Sequence, residues 1–318
     1  MQKTSSFSPI NLLFVAFLIA SCSPGPSGKQ DDTTPATQTA ASSSAGVSQQ
    51  WKDYWYQGKA EITSYQLEQA RYGATHTGDA VLVFVTEPFS KSNQVKLDNP
   101  SAAGDDAVSV LKMNFTKKFV TGIYPYSIMQ SVFTPVEYGQ YPNTLKVTTS
   151  SQEWCGHTFL QLNLQSDSYR YQGHSYFESE GEVDTSIDQV LLEDELWSKL
   201  RLNPQDLPTG EVQLIPNTIY ARLAHKPVQP ETAILKTEST ESASTATFII
   251  DYQSIDRKLA ITYKKEFPYQ ITGWEESYAT YNGKQAVTTA TKKKTLFTPY
   301  WTQNSPADTV LREELMLD

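Results

Sequence analysis

The chain has 318 residues, a formal net charge of −9 at pH 7 and only two cysteines. This acidic balance disfavours nucleic acid as a partner, because a phosphate backbone is bound by clustered cations. Two cysteines cannot supply a disulfide framework, so the fold must be stabilised by a hydrophobic core.

The first 22 residues have the pattern of an export signal. Lys3 precedes an apolar run at residues 12–20 that is too short to cross a bilayer as a helix. Ile19-Ala20-Ser21-Cys22 follows and resembles the bacterial lipobox, in which the cysteine is lipidated and the chain is cut before it. We expect residues 1–21 to be a lipoprotein signal peptide and Cys22 to carry lipid, including palmitate. The alternative is an ordinary secretory signal with an incidental cysteine.

Residues 22–48 have the composition of a tether. They are rich in Ser, Thr, Ala and Pro and contain no aromatic residue, so they cannot bury enough apolar surface to fold. For roughly 26 such residues, a flexible coil spans about 25–30 Å. Gln30-Asp31-Asp32 resembles the surface-export signal of Bacteroidota-type lipoproteins. The expected location is the cell envelope, at the outer membrane, with surface display left open.

Residues 49–203 are predicted to form an N-terminal β-rich lobe. Ser48 can cap a short helix whose Trp51, Tyr54 and Trp55 share one face, and Gly58 can end it. Runs rich in Tyr, Thr, Val and Ile, separated by turn residues, then predict an antiparallel meander. Its predicted strands are 61–71, 81–86, 108–120, 124–134, 145–164 and 169–180.

One helix is predicted near residues 185–201, capped by Asp184 or Thr185, because Ile187, Val190 and Leu191 recur at helical spacing before Trp197 and Leu200. Residues 204–318 are predicted as a C-terminal β-rich lobe. Its predicted strands are 211–215, 218–224, 233–237, 247–252, 258–264, 269–278 and 285–297, followed by a short helix after Ser305-Pro306. The expected fold is therefore mainly β, with curved antiparallel sheets in one or two lobes and a few short helices.

A thiol, two imidazoles and several carboxylates fall together if residues 153–164 pair with residues 169–180. A symmetric turn at 165–168 places Leu160, Leu162 and Leu164 on one face with Tyr169 and Tyr171. The other face is unusual for its polar groups. It is predicted to carry Glu153, Cys155, His157, His174 and Glu178.

This face has a functional and a structural interpretation. Cys155 with His157 or His174 could act as nucleophile and base, and the His and Glu side chains could bind a metal. His174, across the ladder, is the better partner for Cys155, since residues two apart on a strand are about 6.5–7 Å apart. The favoured interpretation is the polar face of a half-exposed sheet, with an inert, buried thiol, no assigned catalytic residue and no assigned metal ligand.

Aromatic residues outside the signal are the second feature. Exposed rings could stack on sugars, although strands favour aromatic residues as core material in any case. Glu275-Glu276 points to opposite faces of a strand and is not a glycosidase pair. The chain contains no P-loop, dinucleotide-binding glycine pattern, zinc-protease motif or Gly-x-Ser-x-Gly elbow.

Several segments resemble a family of uncharacterised Bacteroidota lipoproteins. They are residues 65–73, Gln152-Glu153-Trp154-Cys155-Gly156-His157, and Thr298-Pro299-Tyr300-Trp301. Some relatives carry the label septum formation inhibitor Maf. This chain lacks the Ser-x-Ser-Pro-Arg-Arg motif of the cytoplasmic nucleotide pyrophosphatases with that name. The resemblance thus implies a location in the cell envelope and extends over most of the mature chain. It implies no activity.

The sequence therefore predicts a lipid-anchored envelope protein with a non-enzymatic binding or accessory role. Its expected partners are the membrane, through Cys22, and an envelope protein or glycan, and no cofactor is expected. The alternative is an envelope enzyme or metal-binding protein that uses Cys155, His157 and His174.

Overall fold

The computed structural model describes residues 47–280 and 283–317. The predicted signal peptide, Cys22 and nearly all of the predicted tether lie outside the described residues. The described residues belong to one compact unit. Within the described ranges, no helix is both long and apolar enough to span a bilayer.

Fifteen strands of the described residues form one open, curved sheet, which confirms the predicted mainly β fold. The strands are β1 (Ala60–Arg71), β2 (Ala74–Ser90), β3 (Ala107–Thr121), β4 (Tyr124–Pro135), β5 (Lys146–Glu153), β6 (Gly156–Leu164), β7 (Ser168–His174), β8 (Glu182–Asp188), β9 (Leu191–Leu192), β10 (Gly210–Ile215), β11 (Glu231–Glu238), β12 (Thr245–Tyr252), β13 (Arg257–Lys264), β14 (Ile271–Ala279) and β15 (Gln285–Thr298). All neighbouring strands pair antiparallel except β9 and β10, which are parallel.

The described residues also form five short helices. They are α1 (Gln49–Trp55), α2 (Pro100–Ala103), α3 (Glu193–Leu202), α4 (Thr218–Ala224) and α5 (Val310–Glu314). The predicted opening helix is confirmed, since the Ser48 hydroxyl accepts a hydrogen bond from the Trp51 amide at 3.1 Å. Trp51 and Trp55 are buried, so this helix packs its aromatic face inward.

The sheet consists of two meanders joined through the first and last strands. Its order runs from β8 back to β1, then from β15 back to β9, so β1 pairs with both β2 and β15. The two halves cover residues 60–188 and 191–298. Hydrogen bonds continue from one half to the other, and the predicted boundary between residues 203 and 204 does not interrupt the sheet.

Helix α3 lies in the core between the two meanders. Nine of its ten residues are buried, and the Trp197 ring packs 5.4 Å from Phe115 of β3 and 5.3 Å from Trp274 of β14. A helix that is buried on nearly every side cannot satisfy its charged residues with water, so they must find partners inside the protein.

One predicted helix and one predicted strand have a different secondary structure from the one expected. The helix predicted near residues 185–201 begins only at Glu193, because Ile187 belongs to β8 and pairs with Tyr169. The strand predicted at residues 218–224 is instead α4. Asn217 caps this helix by accepting hydrogen bonds from the amides of Ile219 and Tyr220.

Candidate functional site

The five predicted site residues lie near one end of the sheet but do not form a single cluster. The register between β6 and β7 is as expected, with Leu164 opposite Tyr169. The continuous strand over residues 153–164 is wrong, however, because Trp154 and Cys155 form a two-residue turn between β5 and β6. This turn reverses the chain and separates Glu153 from the face that it was expected to share.

The turn distributes the polar residues over different environments. Glu153 ends β5 as a buried residue, whereas His157 and His174 are exposed on β6 and β7. Glu178 is exposed in the loop after β7. Among the described residues, no group of three or more His, Cys, Asp or Glu side chains is arranged to hold a metal ion.

The Cys155 thiol is exposed, so the expectation of a buried thiol is wrong. The Glu153 carboxylate accepts a hydrogen bond from the Cys155 amide at 2.6 Å. A hydrogen bond from the thiol to the same carboxylate, with the negative charge of Glu153, raises the pKa of Cys155. A nucleophilic cysteine needs the opposite shift, because the thiolate is the reactive form.

His174 has a carboxylate partner of its own. Its Nδ1 atom contacts Glu182 of β8, and its ring stacks on Phe159 with 6.4 Å between the centroids. His174 is thus held by Phe159 of β6 and by Glu182 of β8.

The same end of the sheet carries a row of exposed apolar side chains. The β1–β2, β3–β4 and β5–β6 turns and the β7–β8 loop lie at one edge, because successive antiparallel strands reverse direction. They present Tyr72, Ile123, Trp154 and Tyr176, whose exposed fractions are 64%, 79%, 68% and 65%. We call these four residues the aromatic edge.

Contacts between the turns hold the aromatic edge in place. The Tyr72 and Tyr126 hydroxyls are 2.7 Å apart, and the Arg71 guanidinium lies 4.5 Å from the centre of the Tyr72 ring. The Trp154 ring is 6.3 Å from that of Tyr124. Tyr176 covers Gly156 so closely that a Cβ there would lie 2.8 Å from the Tyr176 Cγ, and only glycine fits.

Helix α4 is attached to the same edge. Arg71 donates a hydrogen bond to the carbonyl of Leu223, and Arg222 donates one to Glu180 at 3.3 Å. The Glu180 carboxylate also contacts His225 Nδ1 at 2.5 Å. The two halves of the sheet are therefore connected at the aromatic edge by charged hydrogen bonds that involve α4 and His225, the residue that follows it.

The aromatic edge was not predicted, although the sequence contains a signal for it. Tyr72 and Ile123 each adjoin a turn glycine, at Tyr72-Gly73 and Gly122-Ile123, and Trp154 lies two residues before Gly156. Large apolar residues beside turn glycines have little core to enter, so they indicate exposed hairpin tips.

Comparisons with known proteins supply no family for this chain. No protein-family model matches it, and no curated protein matches it significantly. One similar solved structure is the crystal structure of a β-barrel-like protein of domain of unknown function DUF1849 from Brucella abortus. It is 8% identical, with a TM-score of 0.45, over 75% of this chain and 97% of that chain.

Proposed function

We propose that this chain is a lipid-anchored protein of the cell envelope that binds a partner protein through the aromatic edge. The observation that carries this proposal is the exposure of Tyr72, Ile123, Trp154 and Tyr176 on successive loops at one edge. Large apolar side chains grouped on a surface mark interaction sites. Tyr and Trp, together with the adjacent Arg71, are the residues that dominate binding energy at protein interfaces.

The position of α1, the first described helix, agrees with this role. Helix α1 precedes Ala60 at one end of β1, and Tyr72 follows Arg71 at the other end. The 12 residues of β1 span roughly 40 Å at about 3.3 Å per residue. In this proposal the tether joins the lipid at Cys22 to the end of the sheet that lies opposite the aromatic edge.

The alternative of an enzyme or a metal-binding protein at Cys155, His157 and His174 has weaker support. The raised pKa of Cys155 disfavours the thiolate at neutral pH. His174 is engaged with Glu182, and Glu153 is buried in β5, so the set offers no convergent group of ligands.

Lipidation is tested by metabolic labelling with radioactive palmitate. Cys22→Ala is expected to lose the label and to release the protein from the membrane fraction, because no other segment resembles a membrane anchor. Cys155→Ser is the matched control and should keep both. Label that survives in Cys22→Ala overturns the assignment of the lipid site.

Partner binding is tested by photo-crosslinking in the bacterium that encodes the protein. A photoreactive phenylalanine at Trp154 or Tyr176 should capture the same protein partner, whereas one at Ile234 of β11 should not. Ile234 is the matched control because it is an exposed apolar residue on a strand away from the aromatic edge. Excess wild-type protein should compete, and the Tyr72→Ala/Trp154→Ala variant should not. Equal capture at Ile234, or crosslinks only to lipid or glycan, contradicts the proposal.

A further inference from the structure

A cleft lies near the other end of β2, away from the aromatic edge. Two adjoining cavities, of about 260 and 170 Å³, are both lined by Thr86, Glu87 and Pro88. Each is smaller than the roughly 300–1,000 Å³ of most pockets for drug-sized ligands. The cleft therefore suits a small molecule, or the terminal unit of a longer one.

Exposed aromatic rings border both cavities. Tyr56 lines the larger cavity and Trp301 lines the smaller one, and nearly half of each side chain is exposed. Each ring is restrained by one neighbour: the Tyr56 hydroxyl donates a hydrogen bond to the Ser109 hydroxyl at 3.0 Å, and the Trp301 ring is 5.5 Å from that of Tyr300. Rings that are held in place while exposed lose little freedom when a ligand packs on them.

Glu87 is the acidic group of the cleft. Its side chain is 11% exposed, and its Oε1 atom accepts a hydrogen bond from Lys112 at 2.8 Å. Its Oε2 atom is buried and has no hydrogen-bond partner within the described protein. An unsatisfied carboxylate oxygen costs free energy, and a small rotation of this terminal group can turn it toward a donor in the cleft.

Two lysine side chains line the smaller cavity. Lys59 and Lys96 both line it beside Trp301, and Lys96 Nζ is 3.7 Å from Glu87 Oε1. Since Lys112 already pairs with Glu87, these two ammonium groups leave the smaller cavity with excess positive charge. An anionic substituent of a ligand is therefore favoured there.

We propose that this cleft binds an acidic monosaccharide unit, a pyranose ring that carries a carboxylate or a phosphate. The apolar C–H face of the ring packs on Tyr56 or Trp301. A ring hydroxyl donates to Glu87, and the anionic substituent lies between Lys59 and Lys96. A sugar offers hydroxyl donors, acceptors and an apolar face on one small ring, which matches this mixture of side chains. The site is separate from the aromatic edge and does not depend on the partner-binding role.

The proposal is tested by calorimetric titration of the purified full chain in detergent. Glucose, glucuronic acid, glucose 6-phosphate, acetate and inorganic phosphate are the probes. The two acidic sugars should bind at least about tenfold more tightly than glucose or either simple anion. The stronger of the two acidic sugars identifies the substituent. If acetate and phosphate bind as tightly as the sugars, the cleft is a simple anion site and the proposal is overturned.

Variants of the cleft supply the second readout. Trp301→Ala and Lys96→Ala should each weaken the binding of the acidic sugar by about tenfold. Trp154→Ala, at the aromatic edge, is the matched control and should bind it as the wild type does. Lys96→Ala should not disturb folding, because 62% of the Lys96 side chain is exposed. A loss of binding in this variant therefore reports on the cleft itself. Unchanged binding in Lys96→Ala and Trp301→Ala, or no binding of any sugar to the wild type, overturns the proposal.

Discussion

The Arg201 guanidinium binds both carboxylate oxygens of Glu61, at 2.7 and 2.8 Å, and both side chains are 1% exposed. This pair joins the end of α3 to the start of β1. The Tyr54 hydroxyl donates a further hydrogen bond to Glu61 at 2.7 Å, and Arg201 also donates to the carbonyl of Pro268. A buried pair with its hydrogen bonds satisfied is specific in geometry, and it is sensitive to the loss of either partner.

Removing one partner of this pair should be more harmful than replacing both. Arg201→Met leaves the Glu61 carboxylate buried without its cation, and we expect a loss of about 3–5 kcal/mol in the free energy of unfolding. In Glu61→Leu/Arg201→Met no buried charge is left alone, so the double variant should be more stable than Arg201→Met. Urea unfolding of the three proteins measures this. A double variant that is less stable than Arg201→Met contradicts this account of the pair.

The same pair predicts a dependence of stability on pH. Burial alone would raise the pKa of Glu61, but the charge and hydrogen bonds of Arg201, with the Tyr54 hydroxyl, hold it below its ordinary value. A depressed folded-state pKa stabilises the protein above the unfolded pKa, and this stabilisation is lost as the pH falls through the folded pKa. The stability gap between wild type and Glu61→Gln should therefore narrow as the pH falls below about 4. A gap that stays constant into strong acid shows that Glu61 does not titrate in this way.

The pKa of Asp194, at the start of α3, is shifted in the opposite direction from that of Glu61. Burial, and next the negative charge of Glu193, raise the pKa of Asp194 to about 8. Its Oδ1 atom accepts hydrogen bonds from the side chains of Gln130 and Asn217 at 2.9 and 2.6 Å. Its Oδ2 atom is buried without a partner within the described protein. The structure thus favours the protonated acid in the folded state.

Asp194→Asn should remove this pH dependence. The unfolded carboxyl ionises near pH 4 and the folded one near pH 8, so the wild type loses stability as the pH rises between these values, by about 1.4 kcal/mol per pH unit. The asparagine amide of the variant does not titrate. The free energy of unfolding of the variant should therefore rise relative to that of the wild type, by the same amount per pH unit. Urea unfolding at pH 5, 6.5 and 8 measures the difference. Parallel curves for the two proteins would mean that folded Asp194 is already ionised at pH 5.

The sequence predicted those elements well whose structure is decided by the alternation of apolar and polar residues alone. Leu160, Leu162 and Leu164 alternate with polar residues on β6, and only the register that places Leu164 opposite Tyr169 puts both apolar sets on one face. Helix α4 gave no such signal. Residues Thr218 to Leu223 are all buried, so the segment has no polar face, and β-branched Thr218 and Ile219 favoured a strand.

Neither binding surface could be read in full from the sequence. Tyr56, Glu87 and Trp301 come from three distant parts of the chain, and no local pattern relates them before the sheet is assembled. The Cys155 cluster was misplaced for a different reason. A turn of two residues at Trp154 and Cys155 leaves almost no loop in the sequence, so it is easily read as continuous strand.

Gly78 is required by the close approach of β3. A Cβ on Gly78 would lie 2.1 Å from the carbonyl oxygen of Lys118, which is backbone and cannot move without disturbing the β2–β3 ladder. Gly78→Ala should therefore lower the free energy of unfolding by about 1–3 kcal/mol. Gly73→Asn is the control. Gly73 has a φ of +77° with open space around it, and Asn tolerates that conformation, so urea unfolding should show a loss of less than about 1 kcal/mol. Equal losses in the two variants would contradict the steric cause.

The exposed Cys155 thiol should react slowly for an electrostatic reason, since solvent access does not limit it. Its hydrogen bond to the Glu153 carboxylate stabilises the protonated thiol and raises its pKa. At pH 7 the native protein should therefore be alkylated by iodoacetamide more slowly than the unfolded protein. Glu153→Gln removes the negative charge and should accelerate alkylation of the native state, while Glu178→Gln, in the neighbouring loop, should leave the rate unchanged. Mass spectrometry of quenched samples gives the rates. A native rate above the unfolded rate, slowed by His174→Ala, would instead mean that an imidazole activates the thiol, and Cys155 with His174 would then be the first catalytic pair to study.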